Sequence, residues 1–106
     1  MTQIALLYVT TPTRDAALSI GRVLVEEKLS ACINILGEIQ SIYRWEGTMN
    51  ESKEVALLVK TTSTQTDAAI ARIKALHPYA CPTILTLPVS AGYAPFLDWI
   101  QSEMRS

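Results

Sequence analysis

The sequence predicts a mixed α+β fold in which an antiparallel sheet carries helices on one face. Three observations lead to this prediction: the order of strand-like and helix-like segments, a long run of alternating β-formers at residues 31–47, and two segments with apolar residues at helical spacing. The order is β-α-β-β-α-β followed by a third helix, which is the ferredoxin-like sandwich pattern. The 106 residues suffice for a single domain, 1–106, with one core.

The first strand and helix are predicted within residues 4–28. An apolar run at 4–9 indicates a strand, and the Thr and Pro residues at 10–13 are typical of a helix entrance. From Arg14 to Lys28 the apolar residues recur at helical spacing. We expect them to face the sheet: Ala17, Ile20, Gly21, Leu24 and Val25. Gly21 would allow a close helix–sheet approach, at a cost of ~1 kcal/mol in helix propensity.

The central segment predicts an extended β-hairpin that is longer than the body of the domain. Residues 31–47 form its first strand, Thr48–Ser52 its polar turn, and Glu54–Thr62 its second strand. A strand of about 16 residues spans roughly 50 Å, whereas a domain of this length is about 33 Å across. Gly37 indicates a bulge or a break in the first strand. Because exposed apolar strand edges invite association, we expect an oligomer.

Residues that typically start or end helices and strands predict the remaining elements. The polar stretch at 63–67 offers N-caps for a second helix, which His77-Pro78 ends. The apolar face of this helix comprises Ala69, Ile70, Ile73 and Leu76. A fourth strand is predicted at Thr83–Leu87, closed by Pro88. A terminal helix at 94–104, with Pro95 in its first turn, offers four side chains for packing: Phe96, Leu97, Trp99 and Ile100.

Composition narrows the function classes. Hydrophobic residues make up 49% of the chain and charged residues 18%, which favours buried subunit interfaces. The net charge is −1 without a basic stripe, so we expect no nucleic-acid partner. No apolar run approaches the ~20 residues of a membrane span, and the start lacks a basic signal region, so we expect a cytoplasmic protein. We expect Cys32 and Cys81 to be small buried hydrophobes.

Six segments carry a resemblance to a known family: Tyr8–Pro12, Leu24–Asn34, Ser41–Gly47, Val59–Thr61, Leu76–Tyr79 and Leu97–Ile100. In this order they resemble the CutA family over nearly the whole chain. The resemblance implies a homotrimer of ferredoxin-like subunits, related in architecture to PII signal-transduction proteins, with long strands pairing between subunits. It also implies a cytoplasmic protein linked to tolerance of divalent metal ions, copper especially.

The chain departs from the family pattern beside its only histidine. Many relatives read His-Pro-Tyr-Glu-x-Pro-Glu, whereas residues 77–83 read His-Pro-Tyr-Ala-Cys-Pro-Thr, with Ala80 and Thr83 in place of carboxylates. Divalent ions such as copper prefer imidazole, thiolate and carboxylate donors, so these losses weaken a metal site. The candidate metal ligands are His77 and Cys81, and no cofactor is expected to be required.

Six residues are candidates for a ligand cleft between subunits: Tyr43, Trp45, Glu54, Lys60, His77 and Tyr79. Tyr43 and Trp45 share one face of a strand and either anchor packing or line a ligand. Glu54 and Lys60 have the same parity and are either solvated strand ends or convergent polar groups. His77 either contacts the last carbonyls of its helix or enters the cleft. Tyr79 either packs its ring at a strand entrance or contacts a ligand.

These residues favour a non-enzymatic trimeric binding or signalling protein with small-molecule or metal-ion clefts between subunits. One alternative is a trimeric scaffold that anchors a partner protein. Another is a small hydrolase acting on an acyl or phosphoryl group, with Arg14 as the anion contact. The hydrolase is disfavoured because the sequence has no Gly-rich loop, and no carboxylate lies within five residues of His77.

Overall fold

A computed structural model describes residues 3–105. Met1 and Thr2, at the start of the chain where the sequence lacks a basic signal region, lie outside the described residues. The elements are β1 (Ile4–Thr11), α1 (Arg14–Glu26), β2 (Cys32–Trp45), β3 (Thr48–Thr62), α2 (Thr66–Leu76), β4 (Ile84–Pro88) and α3 (Ala94–Met104). The sheet order is β2-β3-β1-β4, with every neighbouring pair antiparallel. This confirms the predicted ferredoxin-like α+β class.

Local capping chemistry sets the start of α1, whereas α2 and α3 begin without a side-chain cap. The Thr13 side chain accepts a hydrogen bond from the amide of Ala16 and starts α1 where the sequence predicts. The helix ends at Glu26 rather than Lys28, because Lys28 takes a left-handed φ of 59°. The bounds of α3 are confirmed as predicted. Val25 is 43% exposed and lines an open groove together with Ile33 and Ile35 of β2.

The hairpin turn differs from the prediction. Glu46 and Gly47 form a two-residue turn with φ of 50° and 78°, and Trp45 pairs directly with Thr48. Positive φ at both central residues matches the twist of a hairpin, and glycine provides it readily. The polar segment Thr48–Ser52, expected to be the turn, is therefore strand and pairs with Ser41–Trp45.

A β-bulge at Leu36 changes the face of the sheet on which the odd-numbered residues of β2 lie. Before the bulge, Ile33 and Ile35 pair with core residues of β3, on the side of α1 and α2. Gly37 has a φ of 110° and pairs with Ala56, so the alternation restarts one residue later. Odd-numbered residues from Gly37 to Trp45 consequently lie on the opposite face of the sheet. The irregularity predicted at Gly37 is confirmed as a bulge.

The main core lies between the sheet and the helices α1 and α2. Its buried residues are Leu7, Val9, Ala17, Ile20, Leu24, Val55, Leu57, Val59, Ala69 and Ile73. Gly21 lets α1 approach β2 closely, since a Cβ atom there would lie 3.0 Å from Cγ2 of Ile33. The guanidinium of Arg72 in α2 donates two hydrogen bonds, of 2.9 and 3.0 Å, to the Glu27 carboxylate beyond α1.

The third helix packs on the other face of the sheet. Ile100 and Met104 of α3 bury against Ile4, at one end of β1. Phe96 stacks on Trp99 with ring centroids 5.6 Å apart, although both rings remain about two-fifths exposed. The rest of this face stays open, so that Leu85 is 55% and Leu87 44% exposed.

The hairpin projects beyond the body, as the sequence predicts. The last pair between β1 and β3 is Thr11 with Val55, so the hairpin beyond it consists of two strands only. The molecule measures 44 × 25 × 22 Å. Ile42 and Met49 near the tip are 64% and 68% exposed. Within residues 3–105, no helix has both the length and the apolar character required to cross a bilayer.

We predict that Gly21→Ala destabilises the protein despite alanine's higher helix propensity. Propensity favours alanine by about 1 kcal/mol, but overpacking against Ile33 costs about 1–3 kcal/mol. The free energy of unfolding should therefore fall by up to ~2 kcal/mol in urea titrations. The control is Ser19→Ala on the exposed side of α1, which should be neutral or stabilising. Equal stability of the two variants would contradict a tight α1–β2 contact.

Candidate functional site

The structure brings four of the six predicted cleft residues together where β1 ends. Tyr43 and Glu54 lie on the distal hairpin, on the face away from α1 and α2, while His77 and Tyr79 follow α2. Trp45 lies one step further out on the same face as Tyr43, at 53% exposure. Neither aromatic residue packs in the core of the subunit.

His77 fastens the end of α2 to the end of β1. Its Nε2 atom lies 2.7 Å from the carbonyl oxygen of Thr10, and the backbone N–H of Tyr79 points to its Nδ1 atom at 3.1 Å. A carbonyl can only accept and an amide can only donate, so the imidazole is neutral with its proton on Nε2. The expected contact of this side chain with helix carbonyls is thus replaced by a contact with β1.

Tyr79 lies over the hairpin and meets Glu54. Its hydroxyl donates to Oε2 of Glu54 at 3.4 Å, and its ring lies 4.9 Å from the His77 ring. Glu54 is 8% exposed, so the reading as a solvated strand end was wrong. Burial, the charge and hydrogen bond of Glu54, and the proximity of Tyr43 together raise the pKa of Tyr79 above its ordinary value.

Two hydroxyl residues of this site are not among the sequence candidates. Ser52 donates to the Tyr43 hydroxyl at 3.4 Å, and Thr10 is 5% exposed with its Oγ1 atom lacking a hydrogen-bond partner within the described part of the chain. Ser52 was assigned to the turn, and Thr10 to the helix entrance. Strand pairing places both on this face, and only the register of β3 could have indicated it.

Lys60 lies apart from the other candidates. It is six residues from Glu54 on β3, which corresponds to about 20 Å along a strand. Its Nζ atom lies 5.3 Å from the centre of the Phe96 ring of α3, which is a cation–π contact. Within one subunit, Lys60 therefore belongs to the α3 surface.

The residues of one subunit do not fit a tight metal centre. Residues 3–105 contain no cluster of three His, Cys, Asp or Glu side chains that could hold a metal ion. A metal at His77 would also displace one of its two backbone hydrogen bonds. Both cysteines are free thiols, with Cys81 exposed and Cys32 half-buried, which corrects their expected burial.

We predict that Tyr79 ionises above pH 10.0, its ordinary value. The difference between ultraviolet titrations of the wild type and Tyr79→Phe isolates its phenolate signal. Glu54→Gln should shift that signal to lower pH, because the neighbouring negative charge is removed.

The same shift predicts a loss of stability at alkaline pH. The folded-state pKa is raised, so the contribution to stability is complete below the unfolded pKa of about 10 and is lost as pH rises through the folded value. Tyr79→Phe should retain its stability better than the wild type in this range. A Tyr79 signal at or below pH 10.0 would contradict the burial of this phenol.

Comparison with known proteins identifies the family. The model of a family described as CutA1 divalent ion tolerance protein matches residues 5–103. The chain is 44% identical to the divalent-cation tolerance protein CutA of Thermus thermophilus, covering 92% of this chain and 94% of that protein. It is 41% identical to the CutA homolog of Xenopus laevis over 88% of its length, but spans only 62% of that longer protein.

A solved structure supports the same assignment. The periplasmic divalent cation tolerance protein CutA of Archaeoglobus fulgidus superposes with a TM-score of 0.93 at 36% identity, covering 96% of this chain and 99% of that chain. The similarity thus extends over sequence and fold together. The chain belongs to the CutA1 divalent ion tolerance family.

Proposed function

We propose that this protein is a non-enzymatic homotrimer that binds small ligands between its subunits and signals in the tolerance of divalent metal ions, copper in particular. The observation that carries the proposal is the projecting hairpin with its exposed apolar side chains. Membership of a divalent ion tolerance family supports the link to metal ions. The resemblance to PII-like trimers supports the choice of three copies.

The hairpin has too little to pack on within its own subunit. Ile42, Trp45 and Met49 are each more than half exposed, and β2 is an edge strand along its whole length. Isolated two-stranded ribbons are marginally stable in water, and long open edges promote association. Neighbouring copies would cover both the ribbon and the edge.

The open face of the sheet offers a second area for contacts between subunits. Leu85 and Leu87 are about half exposed there, and their strand partners are Tyr8 and Leu6. Contiguous apolar surface of this kind marks interaction sites in soluble proteins. The location of this face, continuous with the Trp45 side of the hairpin, supports an assembly around the sheets.

The ligand cleft is proposed to form when a neighbour covers the base of the hairpin. Tyr43, Trp45 and Tyr79 provide an aromatic wall, and Glu54 provides a buried polar group within it. Pockets often combine apolar walls with a few polar groups. Lys60 could join this cleft only from a neighbouring subunit, since it lies on the α3 surface of its own.

The state of His77 supports a binding role over catalysis. Both ring nitrogens are used in hydrogen bonds with the backbone, and a general base needs a free nitrogen within reach of the substrate. The ring therefore acts as a structural link between α2 and β1.

We place the protein in the cytoplasm, whereas the Archaeoglobus relative is described as periplasmic.

Copper(II) is proposed as a weak ligand of the assembled protein. The exposed thiol of Cys81 would bind first, and His77 could join only after a hydrogen bond breaks. Breaking such a buried bond costs about 1–3 kcal/mol, which lowers the affinity for the metal.

We predict a solution mass of three times the 11.7 kDa subunit, measured by sedimentation equilibrium. Trp45→Asp should weaken assembly at least about tenfold, because aromatic anchors dominate interface energies. Ser19→Asp is the charge-matched control, as it adds the same charge on the exposed side of α1, away from the hairpin. A monomeric wild type, or equal effects of the two variants, would contradict the proposal.

We predict weak copper(II) binding that depends on Cys81. Calorimetric titration of the trimer should show heat in the wild type and a loss of at least about tenfold in affinity in Cys81→Ser, since thiolate is the softest donor available. Cys32→Ser serves as the control for the other thiol. Unchanged binding in Cys81→Ser would remove this residue as a ligand.

A further inference from the structure

Glu54 carries a buried carboxylate that is poorly satisfied. Its hydrogen bond to the Tyr79 hydroxyl is 3.4 Å long, beyond the usual 2.5–3.0 Å for two oxygens. The ion pairs of residues 3–105 are Glu27–Arg72 and Glu38–Lys53, and neither includes Glu54. Buried carboxylates are nearly always paired with a cation, because their desolvation is otherwise too costly. Glu54 therefore lacks a positive partner among residues 3–105.

The surroundings of Glu54 provide acceptors and aromatic faces. Thr10 pairs with Ala56, which places it diagonally beside Glu54 at about 7–8 Å between Cα atoms. Its buried Oγ1 atom has no partner within residues 3–105. The hydroxyls of Ser52 and Tyr43 lie on the same face of the hairpin, and no described Lys, Arg or His forms an ion pair there.

We propose that Glu54 anchors the primary ammonium group of a small organic cation. This inference rests on the ligand cleft of the proposed function and names the class of its ligand. An ammonium group has three N–H donors, which match the Glu54 carboxylate and neighbouring hydroxyl oxygens. The rings of Tyr43 and Tyr79 cover its alkyl part and attract the charge through their π faces.

Other ligand classes fit this arrangement less well. A metal ion requires several protein donors, and residues 3–105 contain no group of three that could supply them. An anion would be repelled by Glu54, and a neutral molecule would leave the buried charge uncompensated. A cation with hydrogen-bond donors satisfies both the carboxylate and the orphaned hydroxyl of Thr10.

A lysine from a neighbouring subunit would bring the same chemistry to Glu54. Lys60 is the cleft candidate for this role, but its ammonium group already lies over the Phe96 ring. The observations therefore favour a free ligand. The experiment includes a Lys60 variant, so that the two sources of the ammonium group give different results.

The test is calorimetric titration of the trimer with butylammonium chloride, with 1-butanol as the neutral analogue. We expect the wild type to bind butylammonium but not butanol, and Glu54→Gln to bind it at least tenfold more weakly. Glu38→Gln is the matched control, since Glu38 lies on the opposite face of the hairpin with a side chain that is 67% exposed. Its affinity should equal that of the wild type.

Several outcomes would overturn the inference. Equal binding of butanol, unchanged affinity in Glu54→Gln, or no heat from an intact trimer would each do so, and the last leaves the trimeric assembly standing. A monomeric mass would instead remove the proposed function. Butylammonium binding that appears only in Lys60→Gln would identify the neighbour's lysine as the occupant.

If Glu54→Gln fails to assemble, the same titration of Tyr43→Leu replaces it. An affinity for butylammonium that falls threefold or more supports the site, and an unchanged affinity refutes it.

Discussion

The constraint on which this structure depends is the bulge where Leu36 is inserted into β2. Without it, strict alternation would place Ile33, Ile35, Tyr43 and Trp45 on one face of the strand. With Gly37 at positive φ, the first two face the helices and the last two face the opposite side of the sheet. A single extra residue thus lets one strand contribute both to the subunit core and to the candidate ligand cleft.

A second constraint is the link between α2 and β1 through His77. The short β4 pairs with β1 only as far as Val9, so the carbonyl of Thr10 lies beyond that ladder and accepts a hydrogen bond from the imidazole instead. The Nδ1 atom of the same ring accepts a hydrogen bond from the backbone amide of Tyr79. This contact fixes the position at which the Tyr79 phenol meets Glu54. The site geometry therefore derives from backbone hydrogen bonds, which sequence patterns do not specify.

Sequence reasoning was accurate where one local signal dominates. The bounds of α3 and the close approach at Gly21 follow from proline placement and helical spacing. It failed where strand register decides: the turn at Glu46–Gly47 was expected in the polar segment Thr48–Ser52. It also left Glu54 open between a solvated strand end and a polar group of the cleft, and its burial excludes the first reading. The parity of Glu54 and Lys60 was correct, but parity does not give the distance that separates them. The cleft as a site of the assembly stays a prediction.

The alternation of β3 has a consequence for how substitutions in this strand would be sorted. Val55, Leu57 and Val59 point into the core between the sheet and the helices α1 and α2, whereas Ala56 and Leu58 point to the opposite face of the sheet. Polar replacements in the first set should reduce the yield of folded protein, and those in the second should leave soluble chains that no longer associate. In a mutational scan, the effects would therefore alternate from one residue of β3 to the next: one position would lower expression, and its neighbour would lower oligomer formation.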